Sequence, residues 1–193
     1  MAEMDSLHFF GLDSRQIEVL EKSYGKELLP LQERALKEGL LLDGEGLVVT
    51  APTSSGKTLL AELAFLAEAK NDRPVILLVP SKALATERFT DLKRRYEPIG
   101  YRICLSTRDH NTDDQTIAQG RYHLAILVYE KMRVLLQRHP GMVSAVKLVV
   151  IDELQHISDL ERGPALELML TRLRRRTAQG QPQGAAPTSG GRF

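Results

Sequence analysis

Short apolar runs recur along this chain at 47–49, Val75–Val79, 102–105, Leu124–Val128 and Leu148–Ile151. Most are continuous rather than alternating, the pattern of strands buried on both faces of a parallel sheet. Helical patterns lie between them. Leu60, Leu63, Ala64 and Ala67 follow the spacing i, i+3, i+4, i+7, as do Leu166, Met169, Leu170 and Leu173. Ala85, Phe89, Leu92 and Tyr96 form another stripe. Asp13-x-x-Gln16 and Thr112-x-x-Gln115 read as capping boxes, and Pro164 after Gly163 fits a first helical position. Strands alternating with helices predict an α/β doubly wound sheet of about five or more strands flanked by helices. The pattern stops at 177–193, which is rich in Gly, Gln, Pro and Ser with no aliphatic period. That segment cannot bury enough apolar surface to offset its ordering entropy, so disorder is expected there.

The length of 193 residues suits one domain with a proper core, and 42% hydrophobic with 26% charged residues describes a globular chain. Lys+Arg 26 against Asp+Glu 25 leaves no basic surplus to signal nucleic acid. Lys93-Arg94-Arg95 and the arginines at 172–176 are clustered; each is a local basic patch or a solvated last helical turn. The single cysteine, Cys104, excludes an internal disulfide and, between Ile103 and Leu105, reads as a buried strand thiol. No apolar run approaches 18 residues and the N-terminus has no signal pattern, so no membrane partner and a cytoplasmic location are expected. The adjacent acids Asp113 and Asp114 are first-turn carboxylates or metal ligands; the five histidines show no zinc-ligand spacing.

Two segments carry chemistry. Behind the run 47–49 comes Ala51-Pro52-Thr53-Ser54-Ser55-Gly56-Lys57-Thr58, a strand, a phosphate-cradling loop and a helix start. Thr53, Ser54, Ser55 and Gly56 offer backbone N–H groups to a nucleotide. Lys57 reaches the β/γ-phosphates, and the Thr58 hydroxyl suits Mg²⁺. Ala51 stands where such loops usually begin with glycine. The second segment is Leu148-Val149-Val150-Ile151-Asp152-Glu153, which puts two carboxylates at the carboxyl end of a strand. Asp152 suits the metal and Glu153 a general base orienting the attacking water.

Together, the loop and Asp152-Glu153-Leu154-Gln155 resemble motifs I and II of superfamily 2 DEAD/DExH-box helicases, and the run from Asp152 to Glu167 resembles the Ski-two-like branch. The resemblance implies an N-terminal RecA-like domain using ATP and Mg²⁺ and binding DNA or RNA. It implies a helical segment at 1–25, the RecA-like domain at 26–176 and a tail at 177–193. Gln32 matches the family's adenine-pairing glutamine, the alternative being a helix-surface residue. Pro80 and Ser81 match motif Ia, which touches the nucleic-acid backbone, and Thr107 and Glu130 fall where motifs Ib and Ic would be. Gln155 replaces the usual histidine, and His156 next to it points about 100° away on a helix. Nothing after Arg176 resembles motif III, so a truncation, fragment or frame-shift is expected, with the second RecA-like domain a partner from a longer parent. The chain then reads as the ATP-binding half of a nucleic-acid-dependent ATPase, very weak in unwinding by itself, or as a non-catalytic binding module or remnant.

Overall fold

The computed structural model describes residues 3–39, 47–52, 55–158, 163, 166–167 and 170–171. Thr53, Ser54, Pro164, Met169, the arginines at 172–176 and the 177–193 segment lie outside the described residues. Four parallel strands form the sheet: β1 (Val75–Val79), β2 (Ile103–Ser106), β3 (Leu124–Val128) and β4 (Leu148–Ile151), in the order β2-β3-β1-β4. Val79 pairs with Val128, Leu78 with Ile151 and Ser106 with Leu127, so all four strands end at one carboxyl edge.

Burial sorts alternate strand residues onto two faces, as a pleat requires. Val75, Leu77, Val79, Ile103, Leu105, Leu124 and Ile126 join one core with α1 (Ser14–Tyr24), α2 (Pro30–Lys37), α3 (Lys57–Ala69) and α4 (Lys82–Tyr96). Ile76, Leu78, Cys104, Ala125 and Leu127 join the other, under α5 (Asp114–Ala118) and α6 (Tyr129–Arg138). Cys104 is a buried strand thiol, and desolvation pushes its pKa up to about 11.

Among the described residues the sheet has four strands where the sequence pattern predicts five or more. Residues 47–50 have no ladder among the described residues; Leu47 and Val48 are exposed, and only Val49 packs on the core. β4, unlike the fully buried β1 and β3, is half-buried along its length. An edge beside such a strand offers three apolar residues little burial to hold a ladder.

The Asp13 box forms as expected: Gln16 N–H donates to Asp13 Oδ1 at 2.9 Å and Asp13 N–H to Gln16 Oε1 at 2.8 Å. The Thr112 box does not, because α5 begins two residues later and the Thr112 hydroxyl faces His110 Nε2 at 3.1 Å. Asp113 instead accepts the Leu105 N–H at 3.0 Å, and Asp114 bonds Ser106 Oγ and pairs with Lys131 at 2.6 Å. These acids therefore tie the β2 edge down.

The basic run 93–95 is split by packing. Lys93 and Arg94 are exposed, but the Arg95 side chain is 10% exposed and grips the buried Glu62 with Nη1–Oε2 at 2.7 Å and Nη2–Oε1 at 2.9 Å. The hydroxyls of Tyr24 and Tyr96 donate to the same carboxylate, so α1, α3 and α4 meet on one charge. Burial and the facing Glu62 push the Tyr24 phenol up to about 12. Glu62 had one sequence signal: it is the lone acid among apolar neighbours in Leu59–Leu66 of α3.

Candidate functional site

The loop before α3 is shaped by Gly56, which caps the helix at φ +87°. The torsion demands glycine, and a Cβ there would stand 2.2 Å from Gln32 Nε2 and 2.8 Å from Leu29 Cδ1, displacing both side-chain ends. Gln32 is 3% exposed, which removes the helix-surface alternative. Its Oε1 accepts the Leu29 N–H at 2.8 Å and its Nε2 donates to the Gly56 carbonyl at 3.1 Å. One acceptor lone pair and one N–H of the amide stay available. Lys57, first residue of α3, donates its ammonium to the carbonyls of Ala51 and, at 2.9 Å, Pro52, and has no carboxylate partner among the described residues. Ser55 Oγ donates to Pro52 O at 2.7 Å. Thr58 Oγ1 lies 3.4 Å from Arg88 Nη2 of α4.

The acid pair follows β4 directly. The Asp152 N–H extends the ladder to Leu78 O at 2.9 Å, and its Oδ1 accepts the Glu153 N–H at 3.0 Å. Glu153 sits at φ +56°, a left-handed conformation that costs a side-chain-bearing residue about 1–2 kcal/mol and persists only when neighbours impose it. The Tyr129 hydroxyl, from the start of α6, donates to the Asp152 carbonyl and lies 3.4 Å from that of Glu153. The Gln155 amide donates to Glu153 Oε2, so the residue that departs from the family pattern holds the second acid. No hydrogen bond or ion pair joins Lys57 or Thr58 to Asp152 or Glu153 among the described residues.

A cavity of about 780 Å³ opens at the carboxyl edge, lined by Pro80, Ser81 and Glu130 from the sequence expectations. Ser81 also caps α4, its Oγ accepting the Leu84 N–H at 3.3 Å. Thr107 does not line the cavity. It is buried, and its Oγ1 accepts the His110 N–H at 3.1 Å, closing the turn that presents Arg108 instead. Arg108, from the same segment as Thr107, and Arg133 and Arg138, which sequence reading missed, are three exposed cations on the cavity wall with no ion pair among the described residues. Lys82 and Lys131 also line it, but pair with Asp109 and Asp114. The near-zero net charge had hidden this concentration of positive charge.

Residues 29–187 match the DEAD/DEAH box helicase family. The chain belongs to that family. It is 39% identical over 166 residues to an ATP-dependent DNA helicase Hel308 of Caldivirga maquilingensis, covering 86% of this chain and 21% of that protein. With Hel308 of Methanocaldococcus jannaschii it shares 37% over 164 residues, 82% of this chain and 14% of the relative. The chain thus spans about a fifth or less of the length of these relatives. Two solved helicases share the fold. The DUF1998 helicase MrfA superposes with a TM-score of 0.69 at 24% identity, over 85% of this chain and 27% of that one. The RNA-helicase Prp28 from Chaetomium thermophilum gives 0.65 at 22%, over 83% and 41%.

In this helicase-family domain each chemistry-bearing segment is held by side chains from neighbouring helices. Gln32 braces the loop from α2, Arg88 reaches it from α4, and Tyr129 braces the acid pair from α6. Gln32 had a sequence signal of its own, and Tyr129 had one as the neighbour of Glu130 in the segment after β3. Arg88 looks like an ordinary helix position until α4 is packed on the sheet, and the part Tyr129 plays shows only once α6 is.

Proposed function

We propose that this chain is the ATP-binding part of a DNA-dependent helicase ATPase, taking Mg-ATP at the loop before α3 and single-stranded DNA at the cationic cavity. The observation that carries it is Lys57, an ammonium with no acid partner among the described residues, held at a helix start behind a glycine whose φ of +87° disfavours any side chain. Such an amide-lined helix N-terminus with a spare cation suits a triphosphate. The Thr58 hydroxyl and Asp152 carboxylate are hard oxygen donors, and Asp152 Oδ2 has no hydrogen bond among the described residues. Among those residues no cluster of three or more His, Cys, Asp or Glu forms a metal cage; Mg²⁺ needs only one or two such donors beside substrate phosphates.

When bound, Mg²⁺ neutralises charge on the phosphate oxygens. Lys57 exchanges the Ala51 and Pro52 carbonyls for phosphate oxygens, and Gln32 offers its spare acceptor and donor to the adenine edge. The Glu153 carboxylate takes the proton of the attacking water. Thr53 and Ser54, with Ser55 and Gly56, supply loop amides. The DNA choice comes from the Hel308 relatives, whose names describe DNA helicases; phosphate contacts alone carry no such information. Measuring Mg-ATP binding, and ATP turnover with and without single-stranded DNA or RNA, tests the reading. No nucleotide binding, or turnover that single-stranded DNA does not raise, refutes it.

Two further outcomes are expected. Wild-type protein should prefer ATP to GTP, and Gln32→Ala should erase most of that preference, a shift of about tenfold, because a lost buried pair costs about 1–3 kcal/mol. Titration with both nucleotides checks it; equal wild-type affinities would sink the adenine contact. In the cavity, Arg133→Ala should weaken oligonucleotide binding regardless of base sequence. It should also flatten the slope of log K against log salt by about 0.7, the loss of one phosphate contact on a single strand. An unchanged slope would remove Arg133 from the interface.

A further inference from the structure

We infer that Tyr129 is a positioning residue that ties the cavity-lining helix α6 to the backbone of Glu153, so that DNA in the cavity is sensed at the acid pair. The inference rests on the proposed ATP and DNA sites. Tyr129 is the first residue of α6 and is 4% exposed. Its neighbour Glu130, with Lys131, Arg133, Val134 and Arg138 of the same helix, lines the cavity. One short, stiff element therefore carries the DNA-facing side chains and the phenol.

The phenol meets the acid pair at a telling place. It donates to the carbonyl of Asp152 and lies 3.4 Å from that of Glu153. Those carbonyls belong to the peptide planes on either side of the Glu153 Cα, the planes whose rotation defines its φ and ψ. A single donor facing both planes holds the φ +56° that glutamate does not adopt unaided. The direction of the Glu153 carboxylate follows from that torsion, since the Cβ leaves from between the two planes. The other holds on the pair are the ladder bond from the Asp152 N–H to Leu78 O at 2.9 Å, the His156 N–H to the Glu153 carbonyl at 3.1 Å, Asp152 Oδ1 on the Glu153 N–H, and the Gln155 amide on the Glu153 carboxylate. Of these holds among the described residues, Tyr129's is the one that comes from a cavity-lining helix. A shift of α6 on binding DNA is thus carried to Glu153 through one hydroxyl, and phenylalanine would fill the same space without carrying it.

The test uses the full chain, an oligodeoxythymidylate and a non-hydrolysable ATP analogue with Mg²⁺. In the wild type the analogue should change oligonucleotide affinity by about fivefold, the scale of one hydrogen bond. By linkage, the oligonucleotide changes analogue affinity by the same factor. Hydrogen exchange should slow on oligonucleotide binding both at 129–138 and at 152–156. In Tyr129→Phe, each ligand alone should bind within about twofold of wild type. The linkage should fall below about twofold, and 152–156 should no longer respond to DNA. A variant that keeps the linkage, or a wild type that shows none, overturns the inference. Loss of both affinities together with a lowered thermal midpoint would give the hydroxyl a folding role only, and also overturns it. A wild type that binds neither ligand instead refutes the proposed function, and shows before any variant is made.

Discussion

Lys57→Ala is expected to abolish most nucleotide affinity, by about 100-fold or more, while the chain stays folded. Lys57 is the loop's only side-chain cation, it begins α3, and among the described residues its ammonium bonds loop carbonyls that phosphate oxygens would replace. Hydrogen bonds to charged groups contribute about 1.5–3 kcal/mol each, and the β/γ-phosphates offer the ammonium more than one. Glu153→Gln is the matched contrast. It preserves Asp152 and the Lys57 ammonium, so Mg-nucleotide binding should persist while hydrolysis falls to background, because an amide cannot take the proton. A fluorescent-nucleotide titration of both variants, with phosphate release measured in parallel, separates the roles. Equal losses of binding would show that Glu153 shapes the pocket rather than the chemistry.

Glu62→Ala is expected to destabilise the fold by about 3–5 kcal/mol, the cost of stranding a buried charge. Arg95 would keep Asp91, at 2.5 Å, and a long contact to the Tyr24 hydroxyl at 3.4 Å, and the hydroxyls of Tyr24 and Tyr96 would lose the Glu62 acceptor. For a domain of this size that is a fall of roughly 6–20 °C in the unfolding midpoint. The double variant Glu62→Leu/Arg95→Met should recover much of the loss, since apolar side chains of similar volume often replace a buried pair at little cost. Calorimetry of the three proteins decides it; a single variant melting within about 2 °C of wild type would mean that Glu62 is hydrated and its network slack.

The strands at Val75–Val79, Leu124–Val128 and Leu148–Ile151 were legible because buried parallel strands need continuous apolar runs, and all three form. The run at 47–49 had the same composition and pairs with nothing among the described residues, since a ladder depends on what lies beside it. The Asp13 box formed because both its partners sit within one turn. The Thr112 box failed because Asp113 and Asp114 are claimed by β2 and Lys131. In the candidate site, the loop and the acid pair were readable as motifs. Thr107 was chosen from its place in a segment, and the fold buries it and turns Arg108 outward.

The sequence by itself determined the parallel α/β class, the phosphate-loop signature, the two acids at a strand end and membership of the helicase family. Each of these is written in residues a few positions apart, where spacing dictates geometry. Tertiary structure alone decided what braces them. Gln32 reaches Gly56 across 24 residues, Arg95 reaches Glu62 across 33, and Tyr129 reaches Asp152 across 23. No local period marks such pairs. They come into being only when the helices pack on the sheet and leave a buried donor and acceptor that must satisfy each other.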